Sequence, residues 1–156
     1  MVIYKNDSEG RATEAVRHAD LIFCLDFHTM SRLDGLSDLI EENQHAKRIL
    51  IDHHLNPMED FDLMISYPEA SSTCYMVALL VESMFGAESI SKDMAINIFV
   101  GMMTDTGNFA FSSVTPDVFR MVSVLAAKGI SIPDIHNNVY NSFTEGRARL
   151  FGYVIN

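Results

Sequence analysis

The sequence is poor in basic residues and in cysteine, and it has no long apolar run. Its 11 Lys and Arg residues stand against 21 Asp and Glu residues, which leaves a formal net charge of −10 at pH 7. This balance disfavours non-specific binding to duplex nucleic acid through phosphate contacts. It does not exclude a phosphate substrate, because bound metal cations can supply positive charge locally.

The cysteine content and the apolar runs indicate the cellular compartment and whether the chain crosses a membrane. Cys24 and Cys74 both lie among apolar residues, a setting more typical of two buried thiols than of a disulfide or a metal pair. No run approaches the roughly 20 apolar residues that span a bilayer, and the N-terminal sequence lacks the basic and then apolar order of a signal peptide. We therefore expect a cytoplasmic protein without a membrane partner, built as one domain.

Apolar runs in the first half of the sequence predict short strands. The segment DLIFCLD, residues 20–26, has five consecutive apolar residues between acids, as in a strand buried on both faces of a parallel sheet. RILID, residues 48–52, repeats the pattern, and residues 63–66 are a candidate third strand. Between the first two runs, LSDLIEENQ has the spacing of an amphipathic helix. The order of strand, helix and strand predicts an α/β fold with a parallel sheet flanked by helices.

The second half of the sequence is predicted to be rich in helices. Ser71, Ser72 and Thr73 offer N-cap hydroxyls to an apolar run that Gly86 ends, and Ser91 opens another such run. Both runs are apolar on most faces, so we expect buried helices. Three further helix starts follow, at Thr115, Ile132 and Thr144. The first of these helices is predicted to continue to about Lys128.

Three acids share one sequence context, because Asp26, Asp52 and Asp105 are each the first acid after a long apolar run. In an open α/β sheet, ligands bind at the carboxyl ends of the strands. Asp26 and Asp52 are therefore expected to face one another. Asp105 follows a predicted helix C-terminus, where the macrodipole disfavours a carboxylate unless a cation compensates it.

A divalent cation would compensate the cost of grouping these carboxylates, which raise one another's pKa and resist desolvation. His53 and His54 follow Asp52 directly, and oxygen and imidazole donors without thiolates suit Mn, Mg or a similar ion better than structural zinc. Two ions roughly 3.5 to 4 Å apart, bridged by one carboxylate, can activate water and hold a phosphate oxygen. Taken singly, an Asp at a strand end is more often a loop residue or a helix cap, and adjacent histidines are more often partly exposed polar residues than ligands.

The run LIDHHLNP resembles the signature of the DHH phosphoesterase superfamily, which is named for Asp-His-His. Further segments resemble other motifs of that superfamily over about residues 19 to 113, namely ADLIFCLDFHTMSRLDGL, SYPEASSTCYMVALL and GMMTDTGNFAFSS. FTEGRARLFGYV resembles the segment before its interdomain linker. Within the superfamily the sequence is most similar to the bacterial nanoRNase and phosphoadenosine-phosphate (pAp) phosphatase branch, sometimes labelled exopolyphosphatase-related.

The resemblance implies a role for each residue of a two-metal site. Asp26 would bridge the two ions, and His53 and Asp105 would bind one of them. Asp52 would orient or tune the site, and His54 would contact the scissile phosphate. These assignments agree with the expectation that the strand after residue 47 carries its polar cluster to the ligand edge of the sheet.

Other residues are candidates for substrate contact. Ser71, Ser72 and Thr73 open a helix whose N–H groups and dipole attract anions, although simple capping explains them equally well. Arg32 lies within a motif that resembles the family's, so it would orient the bridging acid, reach a phosphate or form a surface salt bridge. His28 would approach the ions only if its strand continued past the bridging acid.

The sequence also departs from the family. The family's first motif, H-x-x-P-D-x-D, supplies ligands to both ions and is not found in these 156 residues, nor is the smaller second domain that closes over the substrate. We therefore expect a partial DHH catalytic domain over residues 1–156, a fragment whose last helix is cut at Asn156. The second ion would keep only Asp26 and bind weakly, so the two-metal mechanism would fail in these residues alone and the function would belong to the whole protein. A sheet without an inner strand would expose an apolar edge, so a homodimer is a further expectation.

The expected function is that of a metal-dependent phosphoesterase that uses Mn, or Mg or another divalent ion. Its expected substrates are pAp-type nucleotides or very short oligoribonucleotides, with polyphosphate and cyclic dinucleotides as alternatives. A non-catalytic metal-binding or nucleotide-binding module is the competing class. The absent first motif favours the module, whereas the DHH and TDTG motifs and Asp26 favour the enzyme. A purely structural domain does not explain three acids at the ends of apolar runs.

Overall fold

The computed structural model describes residues 4–155, and the chain divides into two compact units between Val77 and Ala78. The first unit alternates helices and strands. Its elements are α1 (Arg11–Arg17), β1 (Leu21–Leu25), α2 (Leu36–Glu42), β2 (Lys47–Asp52) and β3 (Leu63–Ser66), with 3₁₀ turns at Tyr4–Asn6 and Met30–Leu33.

The second unit consists of helices, as predicted. Its elements are the later part of α3 (Thr73–Phe85), then α4 (Lys92–Asp105), α5 (Pro116–Ala126), α6 (Ile132–His136) and α7 (Glu145–Ile155), with a 3₁₀ turn at Ala87–Ser89 and a π-helical turn at Asn137–Asn141. The boundary between the units falls within α3. The prediction that the last helix continues at Asn156 lies outside the described residues.

The strands form a parallel sheet in the order β1-β2-β3. Leu25 pairs with Ile51, and Asp52 pairs with Ser66. The carboxyl ends of the three strands therefore lie at one edge, which confirms the predicted α/β fold. Because Asp26 directly follows β1 and Asp52 ends β2, this edge brings their backbones together.

One face of the sheet packs against α1 and α2 and anchors the strands. Its buried core consists of Cys24, Met30, Ile40 and Leu50. Burial raises the pKa of the Cys24 thiol, and neither Cys24 nor the half-buried Cys74 forms a disulfide within residues 4–155. The polar residues at the strand ends therefore sit on a firmly packed base.

The prediction that β1 is buried on both faces is wrong. Leu21, Phe23 and Leu25 are 46%, 51% and 44% exposed. Successive side chains of a strand point to opposite faces, and in this unit α1 and α2 cover only the face that carries Ile22 and Cys24. An uninterrupted apolar run does not reveal whether both faces of its strand are covered.

The helices of the second unit begin and end close to the predicted residues. Gly86 follows α3 with φ 80°, a left-handed conformation that glycine adopts without strain. The Ser91 hydroxyl accepts a hydrogen bond from the Met94 N–H, 3.2 Å away, and caps α4. α5 ends at Ala126, two residues before the predicted end.

In this unit α4 packs against α5. Their buried side chains are Ala95, Ile98, Phe99, Met102, Met103, Val118, Met121 and Leu125. On α7, by contrast, the apolar side chains are exposed, among them Phe151 and Tyr153. Among residues 4–155, no helix combines the length and the apolar character needed to cross a bilayer.

Candidate metal and phosphate site

The chain turns sharply at Asp26, the first residue after β1. Its φ of 66° lies in the left-handed region, which Asp tolerates better than most residues. The Asp26 N–H still donates to the carbonyl of Ile51, 3.2 Å away, so the turn remains tied to β2. The carboxylate is 61% exposed, which leaves it accessible at the edge of the sheet.

A hydrogen bond fixes the ring of His53. Its Nδ1 lies 3.1 Å from the carbonyl oxygen of Ala70. Because a carbonyl only accepts, Nδ1 carries the proton of the neutral ring and Nε2 is the nitrogen suited to a metal. Nε2 lies 3.7 Å from Oδ1 of Asp26. That distance is long for a hydrogen bond but close to the roughly 3 to 3.5 Å that separates two ligands of one divalent ion.

The carbonyl that holds His53 belongs to a turn anchored on β2. The Ala70 N–H donates to the carbonyl of Tyr67 at 2.9 Å, and Pro68 between them restricts the backbone. The Tyr67 N–H in turn donates to the carbonyl of Asp52 at 3.1 Å. This turn was not singled out from the sequence, although a proline two residues after a strand is a recognisable turn signal.

Asp52 holds His54 through two hydrogen bonds. Its fully buried carboxylate accepts from Nδ1 of His54 at 2.7 Å through Oδ1. Oδ2 accepts from the backbone N–H of His54 at 3.1 Å. Both the ring and the backbone of His54 are therefore fixed. In the neutral ring the proton lies on Nδ1, so Nε2 carries the lone pair.

Asp26, His53 and His54 form the candidate metal group. One ligand atom from each residue lies within 4.8 Å of the ligand atoms of the other two. The rings of His53 and His54 meet edge to face, with centroids 5.2 Å apart. One carboxylate oxygen and imidazole nitrogens, with no thiolate, fit a divalent ion such as Mn. The sequence predicted that Asp26 and His53 belong together, but it assigned His54 to the phosphate alone.

The three hydroxyl residues before α3 have different surroundings. Thr73 donates from Oγ1 to Oδ1 of Asp26 at 2.9 Å, so it holds the acid in place. Ser72 accepts from the N–H of Tyr75 at 3.0 Å and caps the helix. The Ser71 hydroxyl is buried and has no hydrogen-bond partner within residues 4–155. Contact of these three residues with substrate stays a prediction.

The remaining predicted residues lie as follows. Asp105 is exposed and ends α4, as expected, and it belongs to the second unit. Arg32 is exposed in the 3₁₀ turn Met30–Leu33. Asp26 and Asp52 share the sheet edge but not one environment, because Asp52 is buried against His54 while Asp26 is exposed. The functional roles of Asp105 and Arg32 stay predictions.

His28 lies closer to the site than the sequence indicated. Its half-buried ring packs beside the ring of His54, with centroids 5.4 Å apart and a tilt of 34°. Its carbonyl accepts from the N–H of Met58 at 2.8 Å, which ties the two loops together. The prediction required the strand to continue past Asp26. The strand ends at Leu25, and the sharp turn that follows brings His28 to His54.

The sequence is similar to known proteins. The sequence matches the family described as "DHH family, N-terminal domain" over residues 2–102. It is 32% identical over 87 residues to the bifunctional oligoribonuclease and PAP phosphatase NrnA of Thermus thermophilus, a match that covers 56% of this chain and 26% of that protein. It is also 32% identical over 120 residues to an uncharacterized protein of Mycoplasma pneumoniae, covering 76% of this chain and 36% of that protein.

A solved structure shares the fold. The crystal structure of an exopolyphosphatase-related protein from Bacteroides fragilis superposes with a TM-score of 0.93 at 40% sequence identity. The superposition covers 99% of this chain and 45% of that one. The chain thus spans less than half the length of the relatives that it matches.

Proposed function

The chain belongs to the DHH family, and on that premise we propose that it carries part of the active site of a metal-dependent phosphoesterase. The observation that carries the proposal is the group of Asp26, His53 and His54, whose ligand atoms lie within 4.8 Å of one another. The edge of a parallel sheet is also where open α/β folds bind ligands.

Asp26 and His53 would hold a divalent ion, Mn or a similar metal. Thr73 keeps Oδ1 of Asp26 in place, and Ala70 keeps the His53 ring in the tautomer that a ligand requires. The prediction from the sequence that Asp105 is a further ligand is kept in this proposal, and a second ion would share Asp26. When bound, the ions supply Lewis-acid chemistry, which polarises a phosphoryl oxygen and activates water.

The chain's own residues would orient the phosphate. We place His54 beside the scissile group, within reach of an anion drawn to Asp26 and His53 by the ion. Asp52 positions the His54 ring by accepting a hydrogen bond from its Nδ1–H. His54 therefore donates to a phosphate from Nε2 only in its doubly protonated form. Stabilisation of charge that develops on the phosphoryl oxygens is the chemical role that this arrangement suits.

The proposed substrates are pAp-type nucleotides or very short oligoribonucleotides. NrnA of Thermus thermophilus is named for activity on both classes, which supports this choice. The formal charge of −10 disfavours binding of duplex nucleic acid. A small phosphate ester can still bind, because the bound cation supplies positive charge locally. Polyphosphate is a second candidate, supported by the exopolyphosphatase-related protein that shares the fold.

The test is phosphate release from pAp, from a labelled dinucleotide and from polyphosphate, with Mn added. Asp26→Asn is the matched variant, because it keeps the size of the side chain and removes its charge. We expect release from at least one of the nucleotide substrates by a longer chain that carries H-x-x-P-D-x-D upstream of these residues, with little or none from residues 1–156 alone, and we expect Asp26→Asn to abolish it. Release that does not depend on Mn, or that survives in Asp26→Asn, would contradict the proposal.

A non-catalytic metal-binding module is the other class of function to consider. It requires only an ion site, for which the ligand atoms of Asp26, His53 and His54 lie within 4.8 Å of one another. Such a module would bind Mn at Asp26 and His53 without releasing phosphate from any of the three substrates. Metal binding without turnover would therefore decide in its favour.

A further inference from the structure

The ring of His28 adjoins the metal group without belonging to it. The group within 4.8 Å comprises Asp26, His53 and His54, and His28 packs against the outer member, His54, at 5.4 Å between centroids. An anion held by the metal group, which includes His54, would therefore lie near His28.

The surroundings of the two nitrogens of His28 differ. Nδ1 is buried and has no hydrogen-bond partner within residues 4–155, while the ring as a whole is only half-buried. A buried N–H without an acceptor is among the rarest arrangements in proteins, and an unused lone pair is tolerated more readily. The neutral ring therefore carries its proton on Nε2, the nitrogen that is not enclosed.

The neighbouring histidines use their protons elsewhere. Nδ1 of His54 is bound to Asp52 at 2.7 Å, and Nδ1 of His53 is directed to the carbonyl of Ala70 at 3.1 Å. In their neutral forms both rings present a lone pair at Nε2 rather than a donor. Among the three clustered rings, His28 is thus the one whose accessible nitrogen bears a hydrogen.

We propose that His28 is a substrate-contacting residue, which donates from Nε2 to an oxygen of the phosphate group beside His54. The inference rests on the proposed function, because it needs a phosphate ester at the metal group. A neutral N–H donor is suited to this place. It binds a phosphate oxygen, and it offers no lone pair that would bind the cation in place of the phosphate.

The first test determines which nitrogen of His28 is protonated before phosphate is added. Long-range ¹H–¹⁵N correlation of the histidine side chains, in the Mg-loaded protein at a pH where the rings are neutral, should show His28 protonated on Nε2. Addition of inorganic phosphate should then shift that nitrogen. A proton on Nδ1, or no response to phosphate, would overturn the inference. This readout does not depend on turnover.

The second test measures the affinity for inorganic phosphate by calorimetry in the presence of Mg. His28→Phe keeps an aromatic ring against His54 and removes the donor, and it should weaken phosphate binding by about tenfold. His28→Asn keeps an N–H and should retain more of the affinity than His28→Phe. His136→Phe is the matched control, because His136 also packs on an aromatic ring, that of Tyr140 at 5.1 Å, and should leave the affinity unchanged.

These outcomes separate the inference from the function on which it rests. Equal phosphate affinity in the native protein and in His28→Phe would overturn the role of His28, even if Mn-dependent release from pAp is observed. Phosphate binding that requires His28, combined with no release from any substrate, would sustain the role of His28 and count against the phosphoesterase. Failure of the native protein to bind phosphate would overturn the inference directly.

Discussion

The carboxylate of Asp52 is fully buried and accepts a 2.7 Å hydrogen bond from the ring of His54. The same carboxylate accepts from the backbone N–H of His54, so a single acid determines where that ring lies and which nitrogen faces outward. The adjacent pair in the sequence therefore acts as one structural unit at the end of β2.

The Asp52→Asn variant should remain folded and lose activity. The substitution keeps one acceptor oxygen but loses the second acceptor and the charge, so the orientation and tautomer of His54 are no longer fixed. We expect kcat to fall by about 10 to 100-fold, the range typical of residues that orient a metal site. Glu59→Gln, a change of an exposed acid on a nearby loop, is the control. Unchanged kcat in Asp52→Asn would refute this role.

Asp105 offers a test of the predicted ligand on α4. Asp105→Asn should weaken Mn binding and remove turnover, whereas Asp93→Asn, at the opposite end of the same helix, should affect neither. Calorimetric titration with Mn and an assay of phosphate release check both. Mn affinity that is the same in the two variants would rule out Asp105 as a ligand.

The first unit depends on a buried amide. Asn43 donates to the carbonyls of Val16 at 2.6 Å and Ala19 at 3.0 Å, and its Oδ1 accepts from the N–H of Ala46 at 3.1 Å. Asn43→Asp keeps the acceptor and loses the donor, so we expect unfolding in urea to become easier by about 1 to 3 kcal/mol.

The matched control for this change is Asn97→Asp. Asn97 is exposed, and its amide donates only within α4, to the carbonyl of Asp93 at 2.8 Å. Its substitution should change the free energy of unfolding by less than about 0.5 kcal/mol. If both variants unfold at the same urea concentration, Asn43 does not brace the first unit.

The ion pair between Glu82 on α3 and Arg120 on α5 predicts a pH dependence. The two side chains form paired hydrogen bonds of 2.9 and 2.7 Å, which lower the pKa of Glu82 from its usual value of about 4.5. The pair therefore stabilises the folded chain above about pH 4.5, and this contribution is lost as the pH falls through the lowered pKa.

Arg120→Gln should accordingly cost less than about 1 kcal/mol near pH 7, since the pair is partly solvated, and nothing at about pH 2. Urea unfolding of the native chain and the variant at both pH values measures the difference. The exposed pair on α7, Glu145 and Arg149, provides the comparison, and Arg149→Gln should have a smaller effect. A stability difference that persists in acid would exclude the ion pair as its cause.

Local sequence signals predicted much of the fold. The apolar runs that end in Asp26 and Asp52 predicted the parallel strands. Gly86 and Ser91 predicted where one helix ends and the next begins. The exposure of Leu21, Phe23 and Leu25 could not be predicted, because strand periodicity does not say what covers each face.

The grouping of polar residues at the sheet edge was predicted where they are adjacent in sequence or match a motif, as at Asp52, His53 and His54, and their functional roles stay predictions. It was missed where contacts depend on the path of the chain after a strand. The left-handed turn at Asp26 carries His28 to His54, and a turn at Pro68 brings the Ala70 carbonyl to His53. Neither contact follows from the periodic spacing of residues in the sequence, so neither could be predicted from it.

The most direct measurement is the Mn affinity of this 156-residue chain, compared with those of His53→Gln and Asp26→Asn, with His136→Gln as the control. The account predicts at least about tenfold weaker binding in the first two variants and no change in the control. Equal Mn affinity in all four proteins would contradict the proposed metal site.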